Sequence, residues 1–209
     1  MMKKKIMPLG SIAANCIILW NEGSSECWIV DPGQDADDLC AFLKEQNLTP
    51  VLVALTHGHF DHIGAVPGLL AKWPELPVHI GPGDVPMLGH PQNAWPPDYP
   101  RVPKPATLVA DLSDGTELSG GGLSAKILST PGHTPGSVCL HFEKDHLLLT
   151  GDTLFAGSCG RTDFPGGSMP QMQASLNRLK ILPPETDVIA GHGTPTTIAR
   201  EVASNPFMN

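Results

Sequence analysis

The stretch LTHGHFDHIG at residues 55–64 places three imidazoles, those of His57, His59 and His62, and the carboxylate of Asp61 within six residues. It ends an apolar run over residues 51–55, which is typical of a buried strand. A strand repeats every two residues, so we expect His57 and His59 to share one side, with Asp61 and His62 facing back from the next helix. Imidazoles with a carboxylate suit zinc, iron or manganese better than calcium or magnesium. The stretch therefore predicts a metal site.

Four local groups exceed what one catalytic metal needs, because such a site commonly takes three protein ligands and keeps a position open for water. Further candidates follow three later strand-like runs: His133 in PGHT, Asp152 in GDT and His192 in GHG. A flanking glycine lets the backbone approach a ligand sphere closely. These residues are predicted to reach the same crevice.

In this order the motifs resemble those of the metallo-β-lactamase superfamily over nearly the whole chain. The resemblance implies a first metal held by His57, His59 and His133 and a second held by Asp61, His62 and His192. It also implies that Asp152 bridges the two ions. The metals are expected to be two divalent ions, with zinc favoured and iron or manganese as alternatives.

Within the superfamily the chain is similar to the short bacterial type II glyoxalases. The segments that carry this likeness are DPGQDA, THGHFDHIG, PGHTPGS, GDTLFAGSCGRTDFPGG and the final GHG with a following NPF. Persulfide dioxygenases are similar around CGRTDF, and that alternative implies one iron held by His57, His133 and Asp152. The larger glyoxalases carry a helical carboxyl-terminal extension, which this sequence lacks beyond Asn209.

The expected chemistry is hydrolysis by a metal-bridging hydroxide, because a metal pair lowers the pKa of a bound water to about 7. Asp61 and Asp152 would orient that hydroxide, and the sequence shows no Ser-His-Asp constellation. A thiolate leaves without protonation more readily than an amide nitrogen, which favours a thioester over a β-lactam. The resemblance names S-lactoylglutathione or a similar acylglutathione. Another small ester or lactone, and a scaffold with little activity, remain alternatives.

Arg161 in CGRTDF is the best-placed basic residue for a substrate carboxylate, because its loop follows Asp152 and its guanidinium can bind bidentately. The competing interpretation is an ion pair with Asp163. Asp31 in DPG follows a strand and is either a group that fixes a ligand imidazole or part of a turn. The proline-rich segment 81–105, with Met87, Trp95 and Tyr99, is either a substrate lid or a surface loop.

Composition indicates one α/β domain over residues 1–209, since the chain has 209 residues of which 41% are hydrophobic. The formal net charge of −8 argues against nucleic acid as a partner. No run approaches the ~18 apolar residues of a membrane span. Five cysteines without a C-x-x-C pair predict reduced thiols and a cytoplasmic protein. The oligomeric state is not indicated by the sequence.

The periodicity of apolar residues alternates between strands and helices, and the residues near Cys16 are better explained as a first strand than as a lipoprotein-like signal. The expected strands are 16–20, 27–30, 51–55, 78–80, 123–128, 137–142, 146–149 and 187–190. The expected helices are 35–46, 61–73, 169–182 and 195–203. Two halves of this kind suggest two sheets packed face to face with helices outside, which is the four-layer αββα sandwich that the resemblance implies.

Overall fold

The computed structural model describes residues 1–91, 93, 99 and 101–209. Its first sheet has six strands in chain order, the first three antiparallel and the last four parallel to one another. The strands are β1 (Met2–Leu9), β2 (Ala14–Asn21), β3 (Glu26–Val30), β4 (Thr49–Leu55), β5 (Val78–Ile80) and β6 (Leu108–Val109).

The second sheet has six strands in the order β14, β13, β10, β9, β8 and β7, and only its β10–β13 pair is parallel. The strands β11 and β12 form a separate small hairpin. Their bounds are β7 (Glu117–Gly120), β8 (Leu123–Ser129), β9 (Val138–Phe142), β10 (Leu147–Gly151), β11 (Leu154–Phe155), β12 (Ser158–Cys159), β13 (Asp187–Ala190) and β14 (Thr196–Thr197).

Helices cover the outer face of each sheet. Their bounds are α1 (Ala36–Glu45), α2 (Phe60–Ile63), α3 (Val66–Lys72), α4 (Met169–Leu179) and α5 (Ile198–Ser204). Helix α1 buries Leu39 and Leu43 against the first sheet, and α4 buries Met172 and Leu176 against the second. The side chain of Ser168 caps α4 by accepting from the amide of Gln171.

Neighbouring residues of one strand pack on opposite sides of the sheet. In β2, Ile17 joins the cluster between the two sheets, where Ile127 and Leu149 meet it, whereas Ile18 faces the cluster beneath the outer helices. Both faces of the strand are therefore buried, which explains why it is a continuous apolar run. The expected four-layer αββα sandwich is confirmed.

The elements differ from the sequence prediction in two informative places. Residues Met2–Leu9 form an edge strand that pairs with β2 along its whole length, so the strand expected to be first is the second. The helix expected over residues 61–73 is two helices, α2 and α3. Because Pro67 has no amide hydrogen to donate to the carbonyl of Ile63, the first helix cannot continue through it.

The parallel strands set up one edge of the molecule. Strands β3 and β4 are parallel neighbours in the first sheet, and β10 and β13 are parallel neighbours in the second, so their carboxyl ends are adjacent in pairs. Next to this edge, the proline-rich segment begins with a 3₁₀ helix, Pro82–Met87, and Trp95 lies outside the described residues. Within the described residues, no helix has the length and apolar character needed to span a membrane.

Candidate metal centre

His57 and His59 lie in the loop after β4, and Asp61 and His62 lie in the single turn of α2. Because β4 ends at Leu55, the expectation that strand periodicity aligns the two histidines is wrong. The loop itself brings them together, with ring centroids 4.9 Å apart for His57 and His59 and 4.1 Å apart for His57 and His62.

A first cluster consists of His57, His59 and His133, all buried. One ring nitrogen from each lies within 4.8 Å of the others, and Nδ1 of His59 is 2.8 Å from Nε2 of His133. His133 lies in the turn between β8 and β9 of the second sheet. The cluster therefore joins the two sheets.

A second cluster consists of Asp61, His62 and His192. Nε2 of His192 lies 3.3 Å from Oδ2 of Asp61, and Nε2 of His62 lies 3.8 Å from the same oxygen. His192 lies two residues after the end of β13 and is about a quarter exposed (26%), which makes it the most accessible member of the cluster.

Asp152 lies between the two clusters, immediately after β10. Its Oδ2 is 3.5 Å from Nε2 of His133 and 3.6 Å from Nε2 of His192, and its Oδ1 is 3.4 Å from Nε2 of His62. One carboxylate thus contacts both clusters. All seven residues singled out from the sequence as candidate ligands are brought together.

Hydrogen bonds fix which nitrogen of each buried histidine faces inward. His62 donates from Nδ1 to Oδ2 of Asp31 over 3.0 Å. The hydroxyl of Thr56 donates to the same oxygen over 2.6 Å, so it is left to accept from Nδ1 of His57 at 3.1 Å. His133 donates from Nδ1 to the carbonyl of Arg161 over 2.7 Å. In all three residues the bond at Nδ1 leaves Nε2 directed at the site, where Nε2 of His133 meets Nδ1 of His59.

Three buried polar atoms of the site have no hydrogen-bond partner in the described protein: Nε2 of His57, Nε2 of His62 and Oδ1 of Asp152. Leaving buried polar atoms unpaired is costly, and buried charges are paired or coordinate metals. These atoms are lone-pair donors that converge on one space. The residues therefore fit a pair of divalent metal ions.

The electrostatics of the site agree with that fit. Burial and the neighbouring imidazoles lower the pKa of His57 well below its usual value and that of His59 to about 3, which keeps both rings neutral and able to ligate. Burial also opposes charge on His62, but the carboxylates of Asp61 and Asp152 outweigh it and raise its pKa to about 10. The carboxylates thus make this part of the site attractive to a cation.

Glycine is required where the loops approach the site most closely. A Cβ on Gly191 would lie 2.3 Å from Oδ1 of Asp152 and 2.6 Å from Cε1 of His62. A Cβ on Gly160 would lie 1.8 Å from the carbonyl oxygen of Asp152. The glycines of GHG and CGR thus leave room for the candidate ligands.

Asp84 is a buried carboxylate that the sequence analysis did not identify. Its Oδ1 accepts from the amide of Gly136 at 2.6 Å, and its Oδ2 accepts from the amide of Gly58 at 2.9 Å and the hydroxyl of Thr134 at 2.6 Å. It therefore ties the loop of His57 and the loop of His133 together. Its position after β5, flanked by glycine in GPGD, is the signal that marked the later candidates and could have found it.

The guanidinium of Arg161 is already engaged at the surface. Its Nε and Nη2 donate to the two carboxylate oxygens of Asp163, each at 2.7 Å, and its Cζ lies 3.8 Å from the ring centroid of Phe164. The competing interpretation of an Arg161–Asp163 pair is therefore present in the structure. The contact between Arg161 and His133 is made by the backbone carbonyl.

An open pocket of about 500 Å³ lies beside His59. Phe60 and Asn93 form its wall on the side of α2, Met87 comes from the end of the 3₁₀ helix, and Phe164 comes from the loop after Arg161. Its volume lies within the range of small-molecule sites. A substrate bound in it would reach the first cluster through His59.

Three comparisons place the chain among known proteins. A family model described as the metallo-beta-lactamase superfamily matches residues 9–192. The hydroxyacylglutathione hydrolase GloC of Haemophilus influenzae is 35% identical over 100% of this chain and 99% of its own. Two crystal structures are also similar. BLEG-1, described as a B3 metallo-beta-lactamase, is 37% identical with a TM-score of 0.90, and the match covers 99% of both chains. TTHA1623 in a di-iron-bound form is 35% identical with a TM-score of 0.86, and the match covers 97% of this chain and 99% of that chain.

The αββα fold and the order of the clustered histidines, single histidine, aspartate and last histidine agree with the family model, which spans every candidate ligand from His57 to His192. The chain belongs to the metallo-β-lactamase superfamily.

Proposed function

We propose that the protein is a metal-dependent hydrolase of thioesters, with S-lactoylglutathione or a similar acylglutathione as its substrate. The observation that supports this most strongly is the position of Asp152, whose carboxylate lies within 3.6 Å of histidines from both clusters. In this proposal His57, His59 and His133 would hold one ion, Asp61, His62 and His192 would hold the other, and Asp152, which contacts both clusters, would be shared between them. The similarity to GloC supports the choice of substrate.

Two divalent ions in such a centre would activate a water as the nucleophile near neutral pH and stabilise negative charge on a carbonyl oxygen. The protein's own contribution is position. Asp61 and Asp152 are rigidly placed acceptors that can orient the attacking water by hydrogen bonding. Thr56 binds Nδ1 of His57, and Asp31 binds Nδ1 of His62, so that Nε2 of each ring faces the site. Preorganised groups of this kind need not rearrange as the charge develops.

The leaving group favours a thioester. A thiol has a pKa of about 8.5, so the thiolate can depart without receiving a proton, whereas an amide nitrogen must be protonated first. The described part of the pocket wall has no carboxyl or amino group, and its ionisable side chains are the imidazoles of His59, a candidate metal ligand, and His90.

Three other activities are alternatives to this proposal. The similarity to BLEG-1 favours a test of β-lactam hydrolysis, and a small ester or lactone would use the same chemistry. The similarity to a di-iron-bound structure favours a test of iron. A mononuclear iron persulfide dioxygenase would use His57, His133 and Asp152. Zinc is the metal we favour for the hydrolase, with iron or manganese as alternatives.

The decisive experiment is anaerobic hydrolysis of S-lactoylglutathione by protein reconstituted with zinc alone. Zinc has no redox chemistry, so turnover can only be hydrolytic. Asp61→Ala should abolish the turnover, whereas Asp111→Ala, which removes a surface carboxylate paired with His79, should preserve it. Absence of turnover in the zinc protein, with oxygen uptake by the iron protein on glutathione persulfide, would replace the proposal by the dioxygenase. Hydrolysis of a chromogenic cephalosporin alone would replace it by a β-lactamase.

We also propose a cytoplasmic protein that acts on free small molecules, not on nucleic acid or at a membrane. The formal net charge of −8 disfavours a phosphate backbone, and the five cysteines are free thiols, as expected in a reducing compartment. Activity that sediments with membranes after cell fractionation would contradict this assignment.

A further inference from the structure

The pocket beside His59 is walled mainly by apolar groups. Phe60, Met87 and Phe164 are each only half-buried, and Pro86 and Pro165 extend the same wall. Half-buried aromatic and thioether side chains that converge on a pocket leave apolar surface to be covered by a ligand. The wall therefore favours an apolar occupant.

The amide of Asn93 is a polar group in this wall, but its hydrogen bonds are already used. Its Oδ1 accepts from the amide of Phe60 at 3.1 Å, and its Nδ2 donates to the carbonyls of Gly58 at 2.6 Å and Met87 at 3.2 Å. Asn93 is almost completely buried. Both donor positions of the amide are therefore used within the wall, where they tie Asn93 to Gly58 and Met87.

The described wall contains no lysine, arginine, aspartate or glutamate, and its ionisable side chains are the imidazoles of His59 and His90. The nearest guanidinium, that of Arg161, stacks on Phe164 and is neutralised by Asp163 in a bidentate pair. The sequence carries no basic residue at positions 92–100, where part of the segment lies outside the described residues. A substrate carboxylate would find no guanidinium or ammonium partner in the described wall.

An acylglutathione has two unlike halves. The glutathione half carries two carboxylates and an ammonium group, and transfer of such groups against a mainly apolar wall without lysine, arginine or carboxylate partners would be costly. The acyl half can be entirely apolar beyond its carbonyl. We infer that the pocket holds the acyl group of the substrate, with selectivity for aromatic or bulky apolar acyl groups, and that the glutathione half extends outward to solvent. This inference rests on the proposed thioesterase function.

The test compares S-mandeloylglutathione with S-lactoylglutathione on the zinc-loaded protein. The two esters differ in one substituent: the carbon that bears the hydroxyl carries a phenyl group in the mandeloyl ester and a methyl group in the lactoyl ester. We expect kcat/KM to be about tenfold or more higher for the mandeloyl ester, since the phenyl group covers the apolar wall. Met87→Ala should lower kcat/KM for the mandeloyl ester about fivefold more than it lowers kcat/KM for the lactoyl ester, since the phenyl group loses more contact with the wall. Met169→Ala, which shortens an exposed methionine at the start of α4, should change neither reaction.

Equal kcat/KM for the two esters, or an equal effect of Met87→Ala on both, would overturn the inference and leave the thioesterase proposal standing. Calorimetry with mandelate and lactate separates the two claims if neither ester is hydrolysed. Tighter binding of mandelate that is lost in Met87→Ala would support the apolar pocket and reject the thioesterase. Equal binding of the two acids would reject both.

Discussion

His62 and Asp31 are both completely buried, and the imidazole donates from Nδ1 to Oδ2 of the carboxylate over 3.0 Å. The same oxygen accepts from the hydroxyl of Thr56, and Oδ1 accepts from the Thr56 amide at 2.7 Å. One carboxylate therefore serves three donors. The sequence allowed two interpretations of Asp31, and the structure agrees with the one in which it fixes a candidate ligand imidazole.

Asp31→Asn should weaken binding of the second metal ion by about 10- to 100-fold. An amide offers one acceptor oxygen, so its NH₂ group would face at least one of the donors of Thr56 and His62. The measurement is competition for zinc with a chromogenic chelator. Asp111→Asn is the matched control, because it alters an aspartate–histidine contact of 2.9 Å with His79 at the surface. Equal zinc affinity of the two variants would contradict the assigned role.

Asp84→Asn should lower the free energy of unfolding by about 2 to 4 kcal/mol, because a buried amide cannot accept the three hydrogen bonds that the carboxylate accepts. Urea denaturation of the zinc-loaded and chelated proteins measures the change. The control is Asp114→Asn, whose half-exposed carboxylate accepts from the amide of Ser129 and pairs with Arg178. A surface pair of that kind contributes about 1 kcal/mol or less.

Gly191→Ala should reduce the bound metal to one equivalent or less, because the new Cβ would lie 2.3 Å from Oδ1 of Asp152. The backbone of Gly191 has no positive φ, so the effect is steric. Metal content after dialysis measures it. Gly120→Ala is the control, since its nearest contact would be an ordinary 3.5 Å. Full metal content in Gly191→Ala would show that Asp152 can move aside.

Cys159 should be the one cysteine that reacts with a disulfide reagent in the native protein at pH 7.5. Burial raises the pKa of Cys27 to about 12 and that of Cys139 to about 11, so neither forms appreciable thiolate, and Cys16 and Cys40 are also buried. Cys159 is partly exposed, and partial burial raises its pKa, so its reaction should be slow.

In urea all five thiols should react, and Cys159→Ser should leave none reactive in the native state. More than one fast-reacting thiol in the folded protein would contradict the packing of the core around these cysteines.

The sequence predicted the site better than it predicted the elements around it. His133, Asp152 and His192 each follow an apolar run and adjoin a glycine. This signal is local, so it does not depend on how the other strands and helices are assigned. Asp84 carries a similar signal but lies in a proline-rich stretch, where the turn residues explain the pattern as well as a functional group would. Its importance comes from amides more than 20 residues away in sequence.

Strand β1 shows the limit of hydrophobic periodicity. Lys3, Lys4 and Lys5 interrupt the alternation of apolar and polar residues that predicts a strand. The segment is nevertheless a strand, because all eight of its residues pair with β2. Charged lysines are usual on an edge strand, since they discourage pairing with a second molecule. The break between α2 and α3 was readable in principle from Pro67, but apolar residues on both sides at helical spacing concealed it.

The two-sheet origin of the site has a consequence for the order in which it forms. Four candidate ligands lie between β4 and β5 of the first sheet, and the other three follow residue 130. Asn15 of β2 links the two halves by donating to the carbonyls of Ala190 and Gly193, 175 and 178 residues away. Contacts of such long range form slowly, because the intervening chain must first be closed into a loop.

A growing chain therefore cannot complete either cluster early. The first awaits His133, and the second awaits His192, near the carboxyl end of the sequence. Metal binding would then follow synthesis and packing of the two sheets. Once bound, the ions would slow the separation of one sheet from the other.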